Sequence, residues 1–307
     1  MSPMSSPPPE APPSPVLRIG VCIATLGRSL EVTQALDALE KQTFRPAKIV
    51  VSGTSQEDVG SAIERQDVSF LFGAPGLCAQ RNRAINSIVD ECDVIVFFDD
   101  DYIPSRFAIE GIIKLFSENS RLAGATGLLL ADGINSAGIS HRDAVAMLAE
   151  YDAREHPPYQ SKSFWIGLYG CNMAFRTALI RNERFDERLA IYGWQEDVDF
   201  AARIAQRGDI VKSDAFVGVH RGVKKGRASG LKLGYSQVSN PLYLVDKGTM
   251  PRSYAWKILS RNVGANLYRA IKPEPWIDRR GRLRGNMIAF FDLIRGRLRP
   301  ERILDIF

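Results

Sequence analysis

The sequence predicts an α/β fold: a mostly parallel central sheet flanked by helices, with a helical, basic C-terminal extension. Three observations predict it. Short apolar, strand-like runs alternate with helical periodicities from Val16 onward. The clearest buried run, 94–98, leads directly into Asp99, Asp100 and Asp101, and in sheets of this kind ligands bind beyond the carboxyl ends of the strands. After Gly230 the pattern turns helical and basic.

The elements follow in order. Residues 1–15 hold seven prolines among Ser and Ala, a composition that buries no core and is expected to form a disordered, partly polyproline-like leader. Residues 17–25 read as a buried strand, and Ser29 as the N-cap of a helix carrying Val32, Ala35, Leu36 and Leu39 at helical spacing. Residues 49–51 and 69–72 are two further strands. A helix over 77–89 places Ile85, Ile88 and Val89 on one side. The strand 94–98 is followed by a helix over 105–116 and a strand over 123–130. From about residue 161 the pattern changes. Residues 164–174 are apolar with glycines, 195–206 form a short helix with Val198, Phe200, Ala201 and Ile204, and 210–219 form a strand that reaches His220. No internal repeat is visible.

Composition sets the outer limits. The chain has 307 residues, 45% apolar and 24% charged, which suits a soluble globular protein with a sizeable core. Its net charge is +5, but residues 251–307 carry 13 Lys and Arg against 5 Asp and Glu. The remaining chain is therefore slightly acidic, and the basic end points either to an anionic partner or to a solvated basic face. Cys22, Cys78, Cys92 and Cys171 have no C-x-x-C spacing, which argues for a reducing compartment and against a zinc site or disulfide framework. No run approaches 18 apolar residues and no secretory signal pattern opens the chain, so the expected location is cytoplasmic. The first strand is not followed by a dinucleotide or phosphate-loop glycine pattern.

Four constellations carry chemistry. Asp99, Asp100 and Asp101 repel one another, by about 1 kcal/mol per close pair in water and about 4 at an effective dielectric of 20. A hard divalent cation such as Mg²⁺ or Mn²⁺ would compensate that cost. Gly193-Trp194-Gln195-Glu196-Asp197-Val198-Asp199 places acids at a helix start, where the helix dipole favours them and where a general base could also sit. His220 precedes Arg221, Lys224, Lys225 and Arg227, a structural histidine before a solvated loop or a ligand beside a diphosphate-binding one. Gly76-Leu77-Cys78-Ala79-Gln80-Arg81-Asn82 sets an Arg and an Asn at a loop-to-helix junction.

Taken in order over residues 16–230, these pieces resemble the inverting family 2 glycosyltransferases of GT-A fold. The opening run Ala24-Thr25-Leu26-Gly27-Arg28, the segment Ala79-Gln80-Arg81-Asn82, the Asp-x-Asp element Asp99-Asp100-Asp101, Gly170-Cys171-Asn172-Met173-Ala174-Phe175-Arg176 and Glu196-Asp197-Val198-Asp199 each match a family element. One departure matters. The family's Asp-Asp-Gly-Ser after the second strand is here Ser52-Gly53-Thr54-Ser55. UDP is the first expectation for the donor nucleotide, with dTDP and GDP open. The resemblance implies a catalytic domain over 16–230, with a nucleotide-sugar half to about 130 and an acceptor half from about 131. Residues 231–307 form the extension.

It also implies roles. Asp101 and His220 would hold Mn²⁺ or Mg²⁺. Thr25, Arg28, Ser52, Arg81, Asn82, Asp99, Asp100, Lys224 and Arg227 would serve the nucleotide sugar. Asp197 would be the general base, Glu196 would position the acceptor, and Trp194 and Asn172 would contact it. Within the extension, Met287, Ile288, Phe290, Phe291 and Ile294 recur at helical spacing among seven arginines from Arg279 to Arg299. Such a helix could lie on an anionic membrane or simply pack on the catalytic domain. The membrane reading, together with a resemblance to bacterial exopolysaccharide transferases, implies a lipid-linked or saccharide acceptor and a place on the inner face of the cell membrane. The competing readings are a transferase acting on polyprenyl phosphate, a nucleotidyltransferase, for which the loop 25–28 is too poor in glycine, and a non-catalytic binder of nucleic acid or an anionic surface. The last leaves the acidic cluster unexplained, and no nucleic acid is expected as a partner.

Overall fold

The computed structural model describes residues 16–155, 157–163, 167–226 and 229–306. The proline-rich leader and Arg227 lie outside the described residues, as does part of the apolar run expected over 164–174.

The chain lays down β1 (Ile19–Ala24), α1 (Ser29–Glu40), β2 (Lys48–Gly53), β3 (Ser69–Phe72), α2 (Leu77–Ile88), β4 (Val94–Asp99) and the short β5 (Tyr102–Pro104). Then come α3 (Ala108–Glu118), β6 (Leu122–Asp132), α4 (His141–Asp152), β7 (Ser161–Ser163), β8 (Asn172–Arg176), α5 (Thr177–Ile180), α6 (Glu196–Ile204) and β9 (Asp209–His220). Three helices follow: α7 (Gly230–Asp246), α8 (Arg252–Arg269) and α9 (Arg279–Ile294). The strands form one sheet in the order β3-β2-β1-β4-β8-β6-β9-β5, with β7 alongside β9.

Why the central strands read as continuous apolar runs is visible in the core. Val94, Val96 and Phe98 of β4 pack on one face with α1 and α3 residues, while Ile95 and Phe97 pack on the other with α2 and α6 residues. Successive side chains point to opposite faces, and both faces are covered. The expected parallel arrangement holds through β3, β2, β1 and β4. Beyond β4 the sheet is mixed: β8 enters antiparallel to both β4 and β6, and β9 runs parallel to β6. A five-residue strand that follows a long excursion from β6 carries no sequence mark of its direction.

Two local readings change. Ser29 is the first residue of α1 rather than its cap; Arg28 occupies the cap position without a side-chain bond. The third helix begins at Ala108 rather than at 105; the Ser105 hydroxyl donates to Asp152 Oδ1 at 2.5 Å and accepts from the Phe107 amide at 3.2 Å.

The C-terminal helices are joined to the α/β body. Leu244, Met250, Ala255 and Ile258 belong to the core beneath α2 and α6. Helix α9 lies so tightly on α7 that a Cβ at Gly285 would meet the Leu231 carbonyl oxygen at 2.0 Å, and one at Gly234 would meet that of Arg282 at 2.0 Å. Only glycine permits that approach. All four cysteines are free and buried.

Candidate active site

The tips of β1 and β4 lie side by side, with Ala24 paired to Asp99. Here the chain assembles its acids. The Thr25 hydroxyl donates to Asp100 Oδ2 at 2.8 Å, and Arg28 Nη1 donates to Asp100 Oδ1 at 2.8 Å while lying 3.6 Å from Asp101 Oδ2. Arg28 also reaches the carbonyls of Val223 and Lys225, fastening the loop after β9 over the acids. The Val223 amide donates to Asp101 Oδ2 at 2.7 Å. Burial, outweighing Arg28, pushes the Asp100 carboxyl up to about 7. Burial acts on Asp101 too, but the hydrogen bond and charge of His220, with Arg28, pull it down to about 2. Asp101 is thus the acid held ionised, and Asp100 is the one held by Thr25 and Arg28.

Asp99, Asp101 and His220 each offer one ligand atom, and these atoms lie within 4.8 Å of one another. His220 Nε2 is 3.4 Å from Asp101 Oδ1, and its Nδ1 is 2.8 Å from Asp132 Oδ1. Tyr169 donates its hydroxyl to Asp132 Oδ2 at 2.9 Å and meets the His220 ring edge-on. A carboxylate behind an imidazole fixes the ring and directs its other nitrogen forward. Two carboxylates and one imidazole are a donor set that fits a divalent cation. Burial alone would lower the His220 pKa. Hydrogen bonds to Asp101 and Asp132 raise it to about 10 instead.

Across from this cluster stand Glu196 and Asp197, at the first turn of α6. They are joined to it by Arg81, a guanidinium only 3% exposed. Arg81 donates to Glu196 Oε1 at 2.6 Å, Asp99 Oδ1 at 3.1 Å and the Gly170 carbonyl at 2.9 Å, and it lies over the rings of Phe97 and Phe185. The Gly170 amide donates to Asp197 Oδ2 at 2.9 Å. A Cβ at Gly170 would sit 3.1 Å from Glu196 Oε1 and 3.3 Å from Asp197 Oδ2, so the residue's bareness lets both acids close on the backbone. Burial and the adjacent Asp197 push the Glu196 carboxyl up to about 8 despite Arg81. Burial raises Asp197 as well. The two acids titrate as a pair.

The structure gathers Thr25, Arg28, Arg81, Asp99, Asp100, Asp101, Glu196, Asp197 and His220 at one edge of the sheet. Other expected site residues are committed elsewhere. Asn82 turns away from the edge, its amide exchanging two hydrogen bonds with the Phe185 backbone. Asn172 is fully buried in β8, where its Oδ1 accepts from the Thr126 hydroxyl at 2.8 Å. Ser52 is fully buried, its hydroxyl accepting from Arg83. Lys224 donates to the carbonyls of Gly133 and Ile134 and so holds the β6–α4 loop. The Trp194 side chain packs on the core, and its carbonyl accepts from Asn240 of α7.

Sequence reasoning missed several participants. Asp132 and Tyr169 back His220. Gln80 donates to the carbonyls of Thr25 and Ser52, tying β1 to β2 below the acids. Asp58 accepts from the amides of Gly27 and Thr54, drawing the two loops together. Asp199, the last acid of its motif, is an anchor: it accepts from Lys247 at 2.9 Å and Thr249 at 2.8 Å. The acidic end of β6, in register with His220, was the one available signal for Asp132.

No family model matches the chain, and no curated protein matches it in sequence. Solved structures do resemble it. A mannosyltransferase from Pyrobaculum calidifontis, determined with GDP-Man and Mn²⁺, aligns at a TM-score of 0.55 with 17% identity, over 92% of this chain and 84% of that one. S. aureus TarS 1-349 in complex with UDP-GlcNAc aligns at 0.52 with 15% identity, over 84% and 77%. GalNAc-T7 with UDP, GalNAc and Mn²⁺ aligns at 0.53 with 14% identity, over 95% of this chain and 56% of that one. The fold is therefore the GT-A fold that the sequence resemblance implied.

Proposed function

We propose that the chain is an inverting glycosyltransferase that moves a sugar from a nucleoside-diphosphate donor, UDP first, to a hydroxyl of a saccharide or lipid-linked acceptor in surface polysaccharide assembly. One observation carries the reading: a metal-ligating set, Asp99, Asp101 and His220, faces a pair of acids, the buried Glu196 and the half-buried Asp197, across the buried guanidinium of Arg81. Structures of similar fold determined with GDP-Man and Mn²⁺, with UDP-GlcNAc, and with UDP, GalNAc and Mn²⁺ support a nucleotide-sugar donor.

Asp99, Asp101 and His220 would hold the cation, and the imidazole nitrogen favours Mn²⁺ over Mg²⁺. When bound, the ion offsets negative charge developing on the departing diphosphate. The chain's own residues do the rest. Thr25 and Arg28 hold Asp100, and the Val223 amide holds Asp101 by Oδ2, which turns Oδ1 toward His220 as the ligand oxygen. Asp197 takes the proton of the acceptor hydroxyl; its pKa, raised by burial, brings it nearer to working pH. As that proton leaves, the acceptor oxygen bonds to the anomeric carbon and the bond from that carbon to the diphosphate breaks. One base on the opposite face from the leaving group gives inversion. Glu196, fixed by Arg81, positions the acceptor beside Asp197.

The test is transfer with UDP-, GDP- and dTDP-sugars in Mn²⁺, read as release of the nucleoside diphosphate in the presence of saccharide or lipid-linked acceptors. Asp197→Asn is expected to lose roughly 10²–10⁴-fold in kcat. Full activity in that variant would remove the base and favour an acceptor that is already an anion, such as a polyprenyl phosphate.

A further inference from the structure

We propose that the outer faces of α8 and α9 form a docking surface for an anionic lipid bilayer. The inference does not rest on the sugar-transfer reading. Helix α9 packs on α7 through Gly285, Ala289 and Asp292, yet the opposite side of the same helix is apolar and open. Met287 is 64% exposed, Phe291 52% and Ile294 84%, spaced by four and three so that they share one face. Helix α8 adds a second stripe, Trp256 and Leu267, which continues to Ile271 just beyond its end, 83% exposed. Single exposed apolar residues are ordinary, but two sets of them on helices that touch each other are not.

Charge says what covers them. Lys257, Arg261 and Lys272 flank the α8 stripe, and Arg280, Arg284 and Arg295 flank that of α9, all exposed. The Arg295 guanidinium lies 3.8 Å from the Phe291 ring centroid, so the aromatic face already carries a cation. Each of the five acids of residues 251–307 is engaged with groups other than these six cations. Asp292 is buried against Tyr235 and Arg302. Glu274 pairs with Arg269 and Arg279, and Asp278 caps α9. Glu301 pairs with Arg188, and Asp305 lies 3.9 Å from Arg299. An apolar strip rimmed by cations fits the boundary between acyl chains and anionic headgroups. A second copy would set these cations against each other, which argues against self-association. Among the described residues no helix is long and apolar enough to cross a membrane, so the contact is with its surface.

The experiment uses the full chain and flotation with phosphatidylcholine vesicles, with and without phosphatidylglycerol, at low and high salt. The wild type is expected to float with the anionic vesicles and to be released by salt. Met287→Gln/Phe291→Gln/Ile294→Gln should lower partitioning by roughly a hundredfold or more, with an unchanged melting curve because the side chains are exposed. Arg280→Gln/Arg284→Gln should fold as the wild type and lose the preference for phosphatidylglycerol. A wild type that stays in solution with anionic vesicles at low salt overturns the proposal. So does a dimer by light scattering that the triple apolar variant dissolves without any flotation, since the face would then join two copies.

Discussion

Replacing Arg81 by Leu removes a cation that spans the two acidic groups, and the cost can be worked from its contacts. The side chain is 3% exposed and its partner Glu196 6% exposed, so both charges are out of water. Removing one partner of a buried ion pair costs about 3–5 kcal/mol where the other partner stays ionised, which for Glu196, pushed up to about 8, means alkaline pH. The Asp99 contact adds less, since that carboxylate is 31% exposed and water can replace the guanidinium. The Gly170 carbonyl, deprived of its donor, adds about 1 kcal/mol. The expected loss is thus a large share of the roughly 5–15 kcal/mol that holds a typical domain together. Urea unfolding between pH 6 and 9 reads it. The deficit should be largest above pH 8 and shrink as pH falls below it, because Glu196, pushed up to about 8 even beside Arg81, is then protonated and leaves no bare charge. Arg81→Lys keeps the charge but cannot reach three acceptors at once, and should recover only part of the loss. A deficit under about 1 kcal/mol, independent of pH, would refute the reasoning, for it would mean that Glu196 needs no buried partner.

Gly170→Ala places a methyl group against both candidate catalytic acids; kcat should fall by roughly tenfold to a hundredfold, while urea unfolding shows a loss of about 1–3 kcal/mol at most. In the metal-free protein His220 is raised from 6.5 to about 10, so its contribution to stability is complete below 6.5 and is lost as pH rises through 10. A metal requires the neutral ring. Mn²⁺ binding near neutral pH should therefore release about one proton, measured by titration calorimetry in buffers of different ionisation enthalpy, and no proton release would place the ion elsewhere. Burial lifts the thiols of Cys22, Cys78, Cys92 and Cys171 above their usual range, so an aromatic disulfide reagent should label none in the native protein and all four in urea.

What was legible in the sequence was what local pattern dictates. Five apolar residues running into Asp99 announce a buried strand whose tip faces a ligand, and Glu196 and Asp197 do open a helix. What was not legible depends on distant partners. Asn82 sits one position from Arg81 on α2, yet the rotation of that helix sends Arg81 toward the acids and Asn82 toward Phe185, 103 residues away. Asp132 backs His220 across 88 residues because β6 and β9 end in register. Asp199 shares a motif with Asp197 but, two positions on, is fully buried against Lys247 and Thr249. In each case a polar residue's role was set by which neighbour the tertiary fold supplied, and residue type alone does not encode that.

The central claim is that the acidic edge formed by Asp99, Asp101 and His220 is a metal-dependent nucleotide-sugar site. Thermal unfolding with UDP, GDP and dTDP, each with and without Mn²⁺, in the wild type and in Asp101→Ala, tests it most directly. Stabilisation is expected only when Mn²⁺ and a nucleoside diphosphate are both present, and it should be lost in Asp101→Ala. No stabilisation by any pair, or one that survives in Asp101→Ala, would contradict the claim.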